Sequence, residues 1–217
     1  MSAEIANIYM TGAGEWAERA EPDARADQLA ALVARARAGD PAAFESIMLA
    51  TERKVVATAW RLLGDREEAR DAAQEVYLRV FKYLGRFREG EDFQAWLYRI
   101  TVNVCRDQAR RRHAASTDQL DAGEAERALA ASHTTDGEAE GATLRAQQLS
   151  MLRRALASLP EKERAAVVLR DLEGFSTDEV ARLLGSRPAT VRSQVSTARV
   201  KLKDYCERLL HRKGGAA

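Results

Sequence analysis

Between His113 and Thr143 the chain has only two large apolar side chains, Leu120 and Leu129, in a run dominated by Ser, Thr, Asp, Gly and Glu. Two such residues cannot bury enough surface to offset the entropy of ordering the whole stretch. Any hydrophobic core must therefore lie before or after it. The chain reads as two folded blocks, residues 25–112 and 144–213, joined by a flexible acidic linker over 113–143 and preceded by an acidic extension over 1–24. For 217 residues this fits ordinary domain sizes, and two domains of that size bury roughly 60 to 70% of their unfolded surface without a disulfide or metal staple.

Charge follows the same division. The formal net charge of +1 averages opposite blocks. Residues 1–24 carry one base against five acids and residues 114–143 one against seven, whereas residues 25–113 carry seventeen bases against thirteen acids and residues 144–217 fifteen against eight. Basic blocks of this kind suit a polyanion, because neutralising phosphates releases their counterions, while an acidic spacer stays off the same surface.

Both blocks read as helix and neither shows a credible strand, since Ala, Arg, Leu and Glu dominate and β-branched runs are brief. The expected fold is all-α. A first helix near Asp27 to Ala38 is stopped by Gly39. Asp40 caps a second, with Pro41 at a position where the missing N–H costs nothing, and it runs to Leu63. Asp65 caps a third, with Glu68 placed as in a capping box, ending at Leu84 before Gly85. A fourth runs from about Asp92 through Arg112. The second block begins with a helix from about Leu144 to Leu156, breaks at Pro160, resumes to Asp171 and loops over Glu173 to Ser176.

Several function classes find no support. The longest run without a charged side chain, Ile5 to Gly14, is about half a bilayer span, and no basic and apolar secretory leader is present. Cys105 and Cys206 lack C-x-x-C spacing and read as packing residues of a protein in a reducing cytoplasm. His113, His133 and His211 have no sequence partner for catalysis or metal binding, and no phosphate loop occurs. No cofactor, metal, small-molecule substrate or membrane is expected, and no enzyme activity.

The most specific local signal is Ser176-Thr-Asp-Glu179-Val-Ala-Arg-Leu-Leu-Gly185, a capping box opening a short helix, followed by a turn at Ser186 and Arg187 and a longer helix from Pro188. This is a helix-turn-helix. In the long helix Val191, Val195, Ala198 and Leu202 share one face, and the remaining faces are polar and basic: Arg192, Ser196, Arg199 and Lys203 on one stripe, Thr190, Gln194, Thr197 and Lys201 on another. Such a surface suits the DNA major groove, where Arg reads guanine, Gln reads adenine, and Ser or Thr reads either. A solvated amphipathic helix has the same pattern.

In the first block Phe93, Trp96, Leu97, Ile100 and Val104 form an apolar stripe on the fourth helix, and Arg99, Asn103, Arg106 and Arg110 a polar one. A basic helix flanked by aromatics can track a phosphate backbone and stack unpaired bases, although large aromatics are also ordinary core residues. The preceding loop, Gly85-Arg-Phe-Arg-Glu-Gly-Glu-Asp92, has two glycines that permit shapes able to enclose an extruded base. On the third helix Asp71, Glu75, Leu78 and Lys82 lie along one face beside Gln74 and Arg79, while Val76, Val80, Phe81 and Leu84 are expected mainly inward. A charged stripe broken by a leucine fits a protein partner or a solvated face equally well.

Together these residues resemble the extracytoplasmic-function (group 4) sigma factors of bacterial RNA polymerase. The resemblance rests on Asp71-Ala-Ala-Gln-Glu-Val-Tyr-Leu-Arg-Val-Phe81, Phe93-Gln-Ala-Trp-Leu-Tyr-Arg-Ile100 with Asn103 and Asp107, Leu159-Pro-Glu-Lys-Glu-Arg164, and Asp171-Leu-Glu-Gly-Phe-Ser176. It implies a σ2-like domain, then a σ4-like domain, with no σ3 domain between. The implied partners are core RNA polymerase, through the β′ clamp helices and β flap, and promoter DNA. Many members are also sequestered by an anti-sigma factor, a partner the resemblance admits here.

Asp71, Gln74, Glu75, Leu78 and Arg79 fall where the family grips the β′ clamp helices. Residues Arg86 to Asp92, Phe87 and Arg88 among them, fall with Trp96 and Asn103 where the family opens and reads the minus-10 element; Arg99, Arg106 and Arg110 continue that polar stripe. Arg187, Thr190, Arg192, Ser193, Gln194, Thr197 and Arg199 fall on the helix that reads the minus-35 element. Gln194 and Thr197 stand where the family commonly has basic residues, and Ser186 where it has an apolar one, so the minus-35 sequence is not transferable from better-known members. Ala73 and Tyr77 replace the usual residues beside the Gln-Glu pair but keep helix and packing. The competing reading is a helix-turn-helix regulator that binds duplex DNA without polymerase; it leaves the fourth helix and the Gln-Glu helix unemployed.

Overall fold

A computed structural model describes residues 22–88, 90–117 and 140–214. Most of the acidic extension and residues 118–139 of the linker lie outside the described residues, as does Glu89. The described residues form eight α-helices and no strand. The first four are α1 (Pro22–Arg37), α2 (Pro41–Leu63), α3 (Arg66–Tyr83) and α4 (Phe93–Thr117), with a short 3₁₀ turn, Leu84–Arg86, after α3. The next four are α5 (Glu140–Ala157), α6 (Glu161–Val167), α7 (Thr177–Leu184) and α8 (Pro188–Gly214), with a wider π-helical turn, Val168–Leu172, continuing α6. No helix of the described residues is long and apolar enough to cross a membrane, and no cluster of His, Cys, Asp or Glu among them could hold a metal.

Local hydrogen bonding explains why the helices start where they do. Asp40 Oδ1 accepts the N–H groups of Ala42 and Ala43, at 3.0 and 3.2 Å, satisfying donors that have no partner inside α2. Arg35 grips the other oxygen of Asp40 at 2.6 Å, and this bond chiefly holds the Asp40 carboxyl below its ordinary range. Asp65 does the same for α3, accepting from Glu67 and Glu68. The reciprocal half expected of Glu68 is absent: its carboxylate turns to Arg112 of α4 at 3.0 Å instead. Helix α1 begins earlier than composition suggests, at Pro22, while α4 runs on to Thr117 and α5 starts at Glu140.

The first four helices enclose one core, built around Ile47, Val55, Val76, Val80, Leu97 and Val104. Each such side chain contributes roughly 1.5 to 3 kcal/mol by leaving water. Tyr77 belongs to this core, and its hydroxyl meets Thr51 Oγ1 at 2.9 Å while Thr51 donates to the Ile47 carbonyl. Burial pushes the Tyr77 hydroxyl up to about 12. The same burial pushes the Cys105 thiol up to about 12, leaving it a packing group rather than a nucleophile. A second core joins Leu156, Leu159, Val167 and Val168 to Ala198 and Leu202 of α8.

A third core lies between the two units. Tyr98 and Val102 of α4 pack with Leu169, Phe175, Val180, Leu183, Val191 and Val195. The rings of Tyr98 and Phe175 meet edge to face at 5.0 Å. Leu62, near the end of α2, touches all three cores. Arg164 of α6 fastens the seam beside it, donating to the carbonyls of Leu62 at 2.7 Å and Leu159 at 2.9 Å. Desolvation lowers the pKa of this half-buried guanidinium from its ordinary value, with Arg112 adding to the effect.

Candidate nucleic acid interface

Asp92 opens α4, its Oδ1 accepting the Gln94 N–H at 2.8 Å. Gly90, with φ of 87°, makes the left-handed bend that brings the preceding loop back over the helix, a conformation that β-carbons disfavour. Phe87 returns from that loop into the core and meets Phe93 and Trp96 at centroid distances of 5.5 and 5.3 Å. Phe87 was expected at the DNA-facing surface; it is instead buried, as is Phe93, and the two rings fix the half-buried indole of Trp96 from below. Arg86 and Arg88 remain exposed on the loop, Arg86 near the Tyr83 ring at 5.4 Å.

Along α4 the polar residues separate into two groups. Arg99, Asn103 and Arg110 are exposed and, at spacings of four and seven, share one stripe beside Trp96. Arg106 lies nearer the second unit, is half-buried and faces Glu161 of α6 at 3.4 Å. Helix α4 therefore offers a fixed, partly exposed indole next to a cationic and amide stripe, the chemistry needed to stack one unpaired base and hold its backbone.

The helix-turn-helix forms as its caps require. Ser176 N–H donates to Glu179 Oε2 at 2.7 Å and Glu179 N–H to Ser176 Oγ at 3.3 Å, and hydrogen bonding of the carboxylate first to the Ser176 side chain and then to its N–H holds the Glu179 carboxyl below its ordinary range. Gly185 closes α7 at φ of 60°, and the Ser186 N–H returns to the Ala181 carbonyl at 2.8 Å. Helix α8 then buries the expected seam of Val191, Val195, Ala198 and Leu202. Thr190, Arg192, Ser193 and Thr197 project outward from its first turns, and Arg187 from the turn just before it. Two residues assigned to the same reading surface sit differently. Gln194 is half-buried at the edge of the seam, its Oε1 out of water with no hydrogen-bond partner in the structure. Arg199, though exposed, forms a bidentate pair with Asp171 at 2.9 and 2.7 Å, which ties α8 to the turn after α6.

On α3, Asp71, Gln74 and Leu78 are exposed. Glu75 and Arg79 bond to one another at 2.7 Å, and Arg79 also reaches Asp107 of α4 at 3.1 Å, so this pair joins the two helices. Phe81, expected inward, is 69% exposed, comparable with Leu78 at 66%. Its ring touches the edge of Phe44 on α2 at 5.2 Å. The outward face of α3 is thus more apolar than its charged stripe suggests. The only hint in the sequence is the adjacent pair Val80-Phe81, which no helix can bury on one narrow face.

These helices fall within regions that known families share. The family model described as Sigma-70 region 2 matches residues 47–115, and that described as Sigma-70, region 4 matches residues 149–202. The chain is 33% identical over 182 residues to the RNA polymerase sigma-H factor of Pseudomonas aeruginosa, covering 82% of this chain and 94% of that protein. It is 30% identical over 185 residues to the ECF RNA polymerase sigma-E factor of Escherichia coli, covering 83% and 95%. Among solved structures, CnrH in complex with the cytosolic domain of CnrY shares the fold with a TM-score of 0.62 at 22% identity, over 84% of this chain and 99% of that one. RpoE from Bartonella quintana, in complex with the anti-sigma factor NepR, does so with a TM-score of 0.60 at 24% identity, over 76% and 96%.

Proposed function

Because this chain belongs to the extracytoplasmic-function sigma factors of the sigma-70 family, we propose which of its surfaces carry out promoter-directed initiation with core RNA polymerase. The first unit, α1–α4, holds polymerase and the minus-10 element; the second, α5–α8, holds the minus-35 element. The acidic segment between them is a spacer.

The observation that carries this assignment is the pair of basic faces on two separately built helices. Arg99, Asn103 and Arg110 lie beside a braced Trp96 on α4, and Arg187, Thr190, Arg192, Ser193 and Thr197 lie at the start of α8. The first suits an unpaired base with its phosphates, the second a duplex groove. The chain's share of the work is binding and positioning in the cytoplasm, while the polymerase makes the bonds. The polymerase face is α3, where Asp71, Gln74 and Leu78 are exposed and Phe81 adds apolar area.

Run-off transcription with core polymerase on a randomised promoter library tests the reading directly. Enriched templates should carry two fixed, separated elements, one near position minus-10 and one near minus-35. Asn103→Ala should leave duplex docking intact and reduce strand opening, read by permanganate reactivity of the minus-10 thymines, by roughly 1 to 3 kcal/mol. Normal opening by a folded Asn103 variant would remove Asn103 from the reading surface.

A further inference from the structure

The two units are closed upon one another through a polar centre supplied by a single side chain. Glu173 lies in the loop between the π-helical turn and α7, yet all three of its side-chain partners belong to the first unit. Its Oε1 accepts from Thr58 Oγ1 at 2.7 Å and from Arg61 Nη1 at 2.6 Å, and its Oε2 accepts from the Tyr98 hydroxyl at 2.6 Å. The Glu173 side chain is only 8% exposed and that of Arg61 17%. Around it Phe175 packs on Tyr98, and Val102 packs with Val180 and Leu183 of the helix-turn-helix. Burial, with the Glu173 carboxylate adding to it, pushes the Tyr98 hydroxyl far up, so it stays a donor.

This closure conflicts with reading a promoter. Helix α7 packs on α4, and α8 on α7, in one shared core. Packed helices lie about 8 to 10 Å apart, which puts the two DNA-facing helices on the order of 20 Å from each other. Promoter elements centred about 25 base pairs apart are separated by roughly 85 Å at the rise of B-form DNA. One closed molecule cannot occupy both. The 22 residues from 118 to 139, at about 3.3 to 3.6 Å each when extended, are long enough in chain length to let the units part by a comparable span.

We infer that Glu173 is an autoinhibitory latch: by joining Thr58, Arg61 and Tyr98 it holds the second unit against α4 in the free protein, and its release precedes engagement of both promoter elements. The inference rests on α4 and α8 being the two DNA-facing helices. Its energetics suit a switch rather than a permanent join. Opening rehydrates both the Glu173 carboxylate and the Arg61 guanidinium, which offsets much of what their pairing contributes, so the pair adds a modest, adjustable increment to the closure that the shared apolar core provides. A partner that binds the open form better can therefore shift the population. The outward face of α3, with Asp71, Gln74, Leu78 and Phe81, stays exposed in the closed chain, so polymerase can dock there first and the latch can open afterwards.

The test measures distance in the full chain. Dyes are placed at two exposed positions, Ala50→Cys on α2 and Asp204→Cys on α8, in a Cys206→Ser background, since Cys105 is buried. Single-molecule energy transfer then reports the separation of the units. The free reference protein should show one short distance, and Glu173→Gln should raise the open fraction by about tenfold with helicity unchanged. Tyr98→Phe, which keeps the ring on Phe175 and removes one donor, should raise it less, and remains decisive if Glu173→Gln folds poorly. Core polymerase with promoter DNA should lengthen the distance in every variant. A free reference protein that is already extended, or open fractions unmoved by folded Glu173→Gln and by Tyr98→Phe, overturns the latch. Failure to form promoter complexes at all would instead defeat the assignment of α4 and α8, while the distances in the free chain still decide whether Glu173 holds it closed.

Discussion

Helices α4 and α8 both carry a basic stripe, but they are held in opposite ways. Helix α4 is packed on two sides, through Leu97 and Val104 in its own unit and through Tyr98 and Val102 against the other. It is left with a narrow exposed strip and an indole braced by two buried rings. Helix α8 buries one seam of four apolar residues, with Gln194 half-buried at its edge, and leaves most of its other early residues in solvent. The contrast matches two physical tasks. Capturing a base that has left the stack needs a rigid platform, because stacking energy falls away once the ring can move. Entering a groove about 12 Å wide needs a helix that protrudes from its support.

The largest expected effect separates the two modes of support. Val195 lies on the single seam of α8, so Val195→Asp puts a charge where nothing can hydrate it, at a cost of roughly 3 to 5 kcal/mol, a large fraction of the stability of a small unit. The second unit should unfold in thermal denaturation. Val102 is equally buried, but it faces the other unit rather than the core of its own. Val102→Asp should therefore separate the units while the first retains its helicity and its melting transition. If both changes unfold the same portion of the chain, the two helices are not supported differently.

Much of this arrangement is legible in the sequence, and what is legible is local. Asp40, Asp65 and Ser176 with Glu179 mark helix starts because their bonds span two or three residues. The seam of α8 is legible because spacings of four, three and four belong to one helix. The closure of the units is not, since Thr58, Arg61 and Tyr98 meet Glu173 across 115, 112 and 75 residues. No periodicity records such a pairing. Tyr98 and Val102, four apart on the flank of α4, are its only trace. The burial of Phe87 and the exposure of Phe81 are hidden for a related reason: which of two adjacent apolar residues a helix or loop turns inward depends on what the neighbouring helices already fill.

The next effect concerns α3, where apolar rather than charged contact should dominate. Leu78→Asp with Phe81→Asp replaces two exposed side chains, so stability should fall only by the loss of the Phe81–Phe44 ring contact, roughly 0.5 to 1.5 kcal/mol, while affinity for core polymerase should fall by roughly 2 to 4 kcal/mol if both are anchors of that interface. Binding of the doubly substituted protein at reference affinity, with normal helicity, would remove this face of α3 from the polymerase contact.

Within α8 the comparison can be sharpened between two arginines. Arg192 projects freely outward near the start of the helix, whereas Arg199 is drawn down onto Asp171. Arg192→Ala should relax base choice at one minus-35 position at a cost of roughly 1 to 3 kcal/mol. Arg199→Ala should weaken binding evenly across sequences and lower the melting temperature of the second unit, because it frees the π-helical turn from α8. Selection from a minus-35 library, paired with thermal melts, separates these outcomes. A sequence-specific defect for Arg199→Ala would mean that Asp171 orients Arg199 toward a base.

The smallest effect tests how far the seam of α8 extends. Gln194 Oε1 is buried without a partner, a situation that costs roughly 1 to 3 kcal/mol relative to a satisfied amide. A longer side chain at this edge can lay its methylenes along the seam and carry its charge out to water. Gln194→Arg should therefore leave stability unchanged or slightly higher, since the orphaned oxygen disappears. Its guanidinium then emerges on the same side as Thr190 and Thr197 and gains one phosphate or guanine contact. The salt dependence of minus-35 binding should steepen by about one ion, and the preferred element should move toward guanine at one position. An unchanged slope together with an unchanged preference would show that position 194 belongs wholly to the seam, and that the DNA-facing arc of α8 runs only through Arg187, Thr190, Arg192, Ser193 and Thr197.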